Sequence, residues 1–254
     1  MPVIGLGTWQ LTDDTAQVIQ EAIKIGYPMI DTSGDYGTQP GIGEGIRKSG
    51  ADRESIFITT KVEEDDDAYE ATKKNLEELG LDYVDLILIH RPPEAGAGEE
   101  LWEGLINAKR DSLVKDIGVS NYSIDLIESL SRQFPNERPV VNQIEWSPFG
   151  HSEDMYEYCN DNEIIIQAYS PLTRKERLDD PRLVEIAEFY GKDPAQILTR
   201  WNLQLGTVPL PKANEIEHLH EDIDVFDFEI SEDDMATLNS MNEHYSALKS
   251  LPYV

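Results

Sequence analysis

Three segments, Tyr27–Ser33 (YPMIDTS), Ile56–Lys61 (IFITTK) and Val84–His90 (VDLILIH), decide the fold. Each segment is a short, almost continuously apolar run that closes on polar residues. Strands of a parallel sheet show this pattern because helices cover both of their faces. Stretches with apolar residues at helical spacing separate the three runs, so the order strand, helix, strand predicts parallel pairing.

The same alternation continues along the chain. Further strands are predicted at Asp116–Ser120, Val140–Glu145, Ile164–Ser170, Thr207–Lys212 and Asp224–Phe228. Helices are predicted at Thr12–Gly26 (capped by Thr12), Ala68–Gly80, Glu99–Arg110, Ser123–Ser131, Ser152–Asn162, Pro181–Tyr190, Pro194–Gly206 and Glu215–Glu221. About eight repeats in a chain of this length predict an α/β protein with a single (β/α)8 TIM-barrel domain over residues 1–254. An open doubly wound sheet is the alternative, but GLGTW at residues 5–9 lacks the third glycine of a dinucleotide-binding turn.

Acidic residues dominate the charge balance. The chain has 50 Asp and Glu against 21 Lys and Arg, a formal net charge of -29. This surface repels phosphate backbones and anionic lipids, so we expect neither nucleic acid nor membrane as a partner. The acidic residues are dispersed along the chain, which favours a halophilic protein adapted to high salt, where repulsion is screened. An ordinary acidic protein is the alternative.

The cellular compartment is predicted from features that the sequence does not have. Cys159 is the sole cysteine, which excludes an intramolecular disulfide and suits a reducing compartment. The first ten residues, MPVIGLGTWQ, do not have the basic and apolar regions of a signal peptide. No apolar stretch approaches 18 residues, so no membrane span is expected. We therefore expect a cytoplasmic protein.

Four ionisable residues lie at or near the ends of predicted strands. Asp31 ends the first strand with Tyr36 five residues later, Lys61 ends the second, and His90 ends the third. Taken singly, these residues could be a turn cap, a loop aromatic, a solvated lysine and a buried structural histidine. The carboxyl ends of barrel strands meet at one mouth, so together they indicate a shared site.

The chemistry of these four residues suits proton transfer to a carbonyl oxygen. Free tyrosine has a pKa of about 10, and a nearby ammonium lowers it. Lys61 can provide that ammonium, with Asp31 holding it charged, and a neutral His90 can hydrogen-bond the carbonyl oxygen. The carbonyl carbon would then need a hydride, which predicts a reduced nicotinamide across the mouth.

At these residues the sequence resembles the aldo-keto reductase family. The matching motifs are GLGTWQL (5–11), IDTSGDYG (30–37), TTK (59–61), LIHRP (88–92), GVSNY (118–122), NQIEWSP (142–148), QAYSPL (167–172) and LPKANEIEH (210–218). The resemblance covers nearly the whole chain and implies a carbonyl reductase that uses NAD(P)H. It implies a catalytic tetrad of Asp31, Tyr36, Lys61 and His90, with Tyr36 as proton donor. It also implies nicotinamide carboxamide contacts from Ser120, Asn121 and Gln143, ring stacking by Tyr169, pyrophosphate contacts from Ser170 and Leu172, a 2′-phosphate contact from Lys212, and Trp9 as a wall of the substrate pocket.

Several positions depart from the family pattern. His218 stands at the position of the usual phosphate-binding arginine, Ala213 replaces a serine, and Asp222 replaces an asparagine. We still expect NADP(H) to be favoured over NAD(H), with His218 at the cofactor phosphate. Arg91 stands where many members have an aromatic residue, which predicts an open, polar pocket for small dicarbonyl or sugar-derived carbonyls.

Further expectations concern the termini, metals and assembly. The family's N-terminal hairpin is expected to be mostly missing ahead of Pro2, and the loops after His90 and Leu248 are expected to be short. No metal site is predicted, and the resemblance suggests a monomer. Two other functions stay open: a lyase that forms a Schiff base through Lys61 or Lys212, and a cofactor-binding, redox-sensing subunit with little turnover.

Overall fold

Eight parallel strands form a barrel in the computed structural model, which describes residues 1–11, 14–249 and 251–253. They are β1 (Leu6–Gly7), β2 (Met29–Asp31), β3 (Phe57–Val62), β4 (Val84–Ile89), β5 (Val114–Ser120), β6 (Val141–Glu145), β7 (Ile165–Tyr169) and β8 (Val208–Leu210). Each strand pairs with the next one along the chain. Backbone hydrogen bonds from Gly5 N to Pro209 O (3.1 Å) and from Gly7 N to Pro211 O (2.8 Å) join the first strand to the last. The predicted (β/α)8 barrel is confirmed.

Helices surround the barrel. In the described part of the chain they are α1 (Thr15–Ile25), α2 (Gln39–Ser49), α3 (Ala68–Leu79), α4 (Glu99–Arg110), α5 (Ile124–Gln133), α6 (Glu153–Asp161), α7 (Pro181–Tyr190), α8 (Pro194–Leu205), α9 (Ile216–Ile223) and α10 (Glu232–Asn239). Their apolar faces bury a core with the strands that includes three tryptophans, Trp102, Trp146 and Trp201. Across these described residues, none of the helices combines the length and the apolar character needed to cross a bilayer.

Glycines end two of the predicted helices. Gly26 after α1 and Gly80 after α3 both have positive φ, 115° and 64°, and their N–H groups bond to carbonyls of the last turn. Glycine takes this left-handed conformation without a Cβ penalty, so it closes a helix efficiently. The predicted cap Thr12 lies outside the described residues.

One predicted strand is wrong and one strand was not predicted. Residues 224–228 form a loop between α9 and α10, because side chains of α8 satisfy its backbone: Gln196 Nε2 donates to Asp224 O (2.7 Å) and Arg200 donates to Val225 O (3.2 Å). The strand that was not predicted is β1. It has only two residues and depends on β2 and β8 for its extended form.

The sequence analysis also does not predict two of the helices. For α2, its glycine content explains why. It contains three glycines, and glycine lowers intrinsic helix propensity by about 1 kcal/mol each. The glycines are required by packing: a Cβ on Gly45 would lie 2.6 Å from Ala16 O of α1, and one on Gly43 would overlap the backbone of Leu79 in α3. Close approach of three helices therefore hides the helical signal. The second missed helix is α10.

A buried carboxylate, Asp85, joins three elements at the amino-terminal end of the barrel. It accepts hydrogen bonds from Arg53 Nη2 (2.8 Å), Lys115 Nζ (2.8 Å) and the N–H of Ile58 (3.0 Å). Burial opposes its charge, but these donors outweigh burial and hold the pKa of Asp85 below its usual range. The ion pair therefore stabilises the fold at neutral pH.

We expect Asp85→Asn to lower the free energy of unfolding by about 2 kcal/mol, because two cations lose their partner but can partly rehydrate. Since the folded pKa is depressed, the contribution is present above about pH 4 and is lost as pH falls through the folded pKa. Urea unfolding at neutral and acidic pH measures it. Asp116→Asn, an exposed carboxylate on β5, is the control with an effect within about 0.5 kcal/mol. Equal losses in the two variants would contradict the prediction.

Candidate active site

Consecutive strands bring the four predicted residues together at the carboxyl end of the barrel. Asp31 ends β2, Lys61 lies near the end of β3, and His90 directly follows β4. Tyr36 ends a 3₁₀ turn, Gly34–Tyr36, between β2 and α2. Asp31, Lys61 and His90 are buried and Tyr36 is half-buried. All four line the mouth, as their positions at strand ends predicted.

Lys61 is the centre of the group and is only 1% exposed. Its Nζ donates to both carboxylate oxygens of Asp31 (2.9 Å each) and to Thr32 O (2.7 Å). The same Nζ lies 3.4 Å from Tyr36 Oη. Burial opposes the ammonium charge, but Asp31 and then Tyr36 outweigh it, so the pKa of Lys61 is raised. Lys61 is therefore a cation beside the phenol.

The expected lowering of the Tyr36 pKa is wrong. Burial is the largest influence and raises it, Lys61 lowers it, and Asp31 raises it again, so the net pKa lies above the ordinary value. Low-dielectric surroundings disfavour the phenolate more than one ammonium already paired with a carboxylate favours it. Tyr36 is consequently a protonated phenol at neutral pH.

A carboxylate that was not predicted binds His90. Glu63 Oε1 lies 2.6 Å from His90 Nδ1 and accepts a hydrogen bond from Ser33 Oγ (3.1 Å). Burial raises the pKa of Glu63, but hydrogen bonding to His90 outweighs it and the net pKa is lowered. An ionised carboxylate only accepts, so Nδ1 carries a hydrogen and a neutral ring has an acceptor at Nε2. The expectation that a neutral His90 donates to a carbonyl oxygen therefore needs correction.

Glu63 had a detectable signal in the sequence. It lies two residues after Lys61, so both side chains face the same side of the strand. In the register of β3 and β4, Val62 pairs with Ile89, which places the next residues, Glu63 and His90, side by side. The signal requires knowing the register, which the separate strands do not reveal.

Side chains from β5, β6 and β7 extend the site beyond His90. Tyr169 Oη donates to Asn121 Oδ1 (2.7 Å), and Asn121 Nδ2 donates to Ser120 Oγ (3.1 Å) and His90 O (3.1 Å). Ser120 Oγ in turn donates to Gln143 O (2.8 Å). Four residues predicted to hold a nicotinamide thus form one connected network beside the tetrad.

Gln143 faces the barrel interior. Its Nε2 donates to Asp31 Oδ1 (2.7 Å) and to Gln167 Oε1 (2.8 Å), and the residue is 2% exposed. Both amide hydrogens are therefore used inside the barrel. In this arrangement Gln143 supports Asp31 directly, and only its Oε1 can serve a nicotinamide.

The predicted phosphate end lies on the segments after β7 and β8. Ser170 has positive φ (47°), and Leu172 is half-buried. Burial lowers the pKa of Lys212, and the charge of Lys175 lowers it further. Lys175, which was not predicted, thus brings a second ammonium near Lys212. His218 lies on α9 with its side chain 42% exposed.

Arg91 and Trp9, the two residues predicted for the substrate pocket, are both exposed. Arg91 Nη1 is 3.5 Å from Glu63 Oε2 and 3.9 Å from Glu64 Oε2, so its charge is offset. The guanidinium of Arg174 lies 4.2 Å from the centroid of the Trp9 ring. A cleft of about 410 Å³ is lined by Glu63, Glu64, Asp65, Arg91, Pro93 and Glu94. The cleft is polar and carries more negative than positive groups.

One metal-like arrangement occurs within residues 1–11, 14–249 and 251–253. Ligand atoms of Asp35, Glu63 and His90 lie within 4.8 Å of one another. The short Glu63–His90 hydrogen bond uses two of the atoms that a cation would need. The absence of a functional metal stays a prediction.

The fold and its mouth define a (β/α)8 oxidoreductase, and comparison with known proteins gives the family. The model of the Aldo/keto reductase family matches residues 3–243, and the chain belongs to this family. It is an NAD(P)H-dependent oxidoreductase.

The matches to known relatives extend over nearly the full length of both chains. The chain is 40% identical to the uncharacterized oxidoreductase YtbE of Bacillus subtilis and 38% identical to glyoxal reductase of the same organism, covering 96% of this chain and 90% of each relative. A crystal structure of an aldo-keto reductase from a Medee basin deep-sea metagenome library is similar (TM-score 0.92, 33% identity, 97% and 93% of the two chains). A Bombyx mori aldo-keto reductase in complex with NADP is also similar (TM-score 0.89, 32% identity, 97% and 91%).

Proposed function

We propose that this protein reduces small aldehydes and ketones to alcohols, with Tyr36 as proton donor. The observation that carries the proposal is the position of Lys61 Nζ, which is 2.9 Å from Asp31 and 3.4 Å from Tyr36 Oη. A buried ammonium held against a phenol stabilises the phenolate that proton donation creates. A purely structural role would not require a protonated tyrosine at that position.

The residues act on the carbonyl oxygen. When bound, a reduced nicotinamide supplies the hydride to the carbonyl carbon. As negative charge builds on the oxygen, Tyr36 gives up its proton, and Lys61 stabilises the resulting phenolate. Asp31 keeps Lys61 charged, and Gln143 orients Asp31 through its 2.7 Å hydrogen bond. The phenolate is then reprotonated from solvent.

Two groups of side chains would hold the cofactor. Ser120, Asn121 and Tyr169 form a polar network next to the tetrad. Lys175 and Lys212 repel each other, and an anion between them would relieve that repulsion. This pair supports the preference for NADP(H) over NAD(H), since the extra phosphate supplies such an anion.

The test is cofactor oxidation with methylglyoxal, using NADPH and NADH, in low salt and in molar KCl. We expect turnover with both cofactors and a lower KM for NADPH. Activity and stability that rise with KCl would support the halophilic interpretation. Tight NADPH binding without turnover would favour the redox-sensing subunit, and borohydride trapping of substrate on Lys61 would favour the lyase.

The acidic cleft predicts discrimination by substrate charge. Glu63, Glu64, Asp65 and Glu94 face one arginine there, so an anionic substrate is repelled. We expect kcat/KM for glyoxylate to be at least about 10-fold below that for ethyl glyoxylate at low ionic strength, equivalent to about 1.4 kcal/mol. The similarity to a glyoxal reductase supports small uncharged dicarbonyls as substrates. The difference should shrink in high salt, and a preference for the anion would contradict it.

A further inference from the structure

Residues that follow three neighbouring strands hold the contact between Glu63 and His90 in place. Glu63 follows β3 and His90 follows β4, and His90 N donates to Val62 O (2.8 Å), which continues the ladder to this pair. Ser33, two residues after β2, donates from Oγ to Glu63 Oε1 (3.1 Å). Arg91 Nη1 lies 3.5 Å from the other oxygen of Glu63. The carboxylate therefore has partners on both oxygens and is held in one orientation.

The hydrogen bond decides where His90 carries its hydrogen. At 2.6 Å, the contact between Nδ1 and Oε1 has the length of a charge-assisted hydrogen bond. A carboxylate cannot donate, so the hydrogen belongs to Nδ1. In the neutral ring Nε2 is then an acceptor, and a carbonyl oxygen has no hydrogen to offer it. Only the imidazolium has an Nε2–H that can bond to the substrate.

Other charged and titratable groups also surround His90. Asp35 Oδ1, from the 3₁₀ turn, is 3.8 Å from Nδ1, which adds a second negative charge. The Tyr36 ring packs edge-on with its centroid 5.7 Å from that of His90, and Lys61 lies behind Tyr36. The pKa values of Tyr36 and Lys61 are both raised, so both stay protonated across the neutral range.

We propose that Glu63 is a positioning residue that holds His90 with its hydrogen on Nδ1, so that carbonyl reduction uses the His90 imidazolium as hydrogen-bond donor. The inference rests on the proposed function and adds to it: Tyr36 transfers the proton, and His90 keeps its own. Reduction should consequently be faster with the imidazolium form of the ring than with its neutral form.

The tautomer is measured directly by nitrogen NMR of protein with labelled histidine. The chain has five histidines, and a His90→Asn variant assigns the His90 signals. At alkaline pH, wild-type His90 should carry hydrogen on Nδ1, whereas Glu63→Gln should shift the ring toward hydrogen on Nε2, since the amide can donate to Nδ1. Hydrogen on Nε2 in the wild type, or the same tautomer in both proteins, would overturn the inference.

A second readout is the pH dependence of kcat at saturating NADPH. The ratio of kcat for Glu63→Gln to kcat for wild type should rise about 10-fold between about pH 6 and pH 9, the effect of one ordinary hydrogen bond. The variant gains because its neutral ring can present Nε2–H. A constant ratio would be the signature of a merely structural role and would contradict the proposal.

Two variants control these measurements. Glu63→Asp keeps the charge and should keep the wild-type tautomer. If Glu63→Gln does not fold, the wild-type tautomer alone decides, because hydrogen on Nε2 would overturn the inference. Glu70→Gln alters an exposed carboxylate that pairs with Lys73 on α3, and it should keep the wild-type pH profile. Absence of carbonyl turnover would refute the proposed function while the NMR result still decides the role of Glu63. Turnover with an unchanged tautomer would refute the inference alone.

Discussion

Replacing Tyr36 by Phe is expected to lower kcat for aldehyde reduction at least about 100-fold, the lower range of general acid catalysis. The change removes only the hydroxyl that lies 3.4 Å from Lys61 Nζ. Without it, the alkoxide must take its proton from water, and Lys61 has no phenolate to stabilise. The affinity for NADPH, measured by quenching of protein fluorescence, should stay within about 2-fold, since the hydroxyl is not proposed to hold the cofactor.

A matched variant separates this effect from the loss of any tyrosine hydroxyl. Tyr69→Phe removes a hydroxyl on α3 that donates to Asp111 (2.6 Å) and not to a residue of the tetrad. Its kcat should equal that of the wild type. An unchanged kcat for Tyr36→Phe would show that another group supplies the proton.

Replacing Asp222 by Asn is expected to stabilise the fold strongly at alkaline pH. Asp222 is 4% exposed on α9, and its pKa is raised to about 7, chiefly by burial and then by Glu221, with Lys175 opposing. The folded protein keeps a proton that the unfolded chain releases near pH 4, so the free energy of unfolding falls as pH rises from about 4 to 7. Three pKa units amount to about 4 kcal/mol. Asparagine stays neutral and avoids this penalty.

Urea unfolding at several pH values tests this expectation. Asp222→Asn should gain up to about 4 kcal/mol at pH 8 and close to nothing at pH 4. Glu221→Gln, an exposed neighbour on the same helix, should gain less than about 1 kcal/mol. A gain for Asp222→Asn that is equal at both pH values would mean that packing, and not ionisation, is responsible.

Much of the barrel was predictable because burial on both faces leaves a visible pattern in single strands. Val84–Ile89 is apolar at nearly every position and is a strand of the expected length. The pattern fails where neighbours create the element. Leu6–Gly7 is a strand only through its pairing with β2 and through hydrogen bonds to the β8 edge, and the glycines of α2 serve contacts with α1 and α3.

In the candidate site, too, some residues can be predicted from single strands and others only from the assembled fold. Asp31, Lys61 and His90 stand at strand ends, so topology alone places them together. Glu63 looks like a solvated acid in the sequence, and its role requires the register that sets it beside His90. The direction of the Tyr36 pKa was mispredicted because burial outweighs Lys61, and burial is a property of the assembled mouth. Lys175 needs the fold in the same way, since it lies 37 positions before Lys212 in the sequence.

The central claim is direct hydride transfer to a carbonyl at this mouth, and isotope transfer tests it. The protein is incubated with methylglyoxal and NADPH deuterated at both C4 positions, and the product alcohol is analysed by mass spectrometry. We predict one deuterium on the former carbonyl carbon, with its formation reduced at least about 100-fold in Tyr36→Phe. Alcohol without deuterium, or NADPH binding without any alcohol, would contradict the claim.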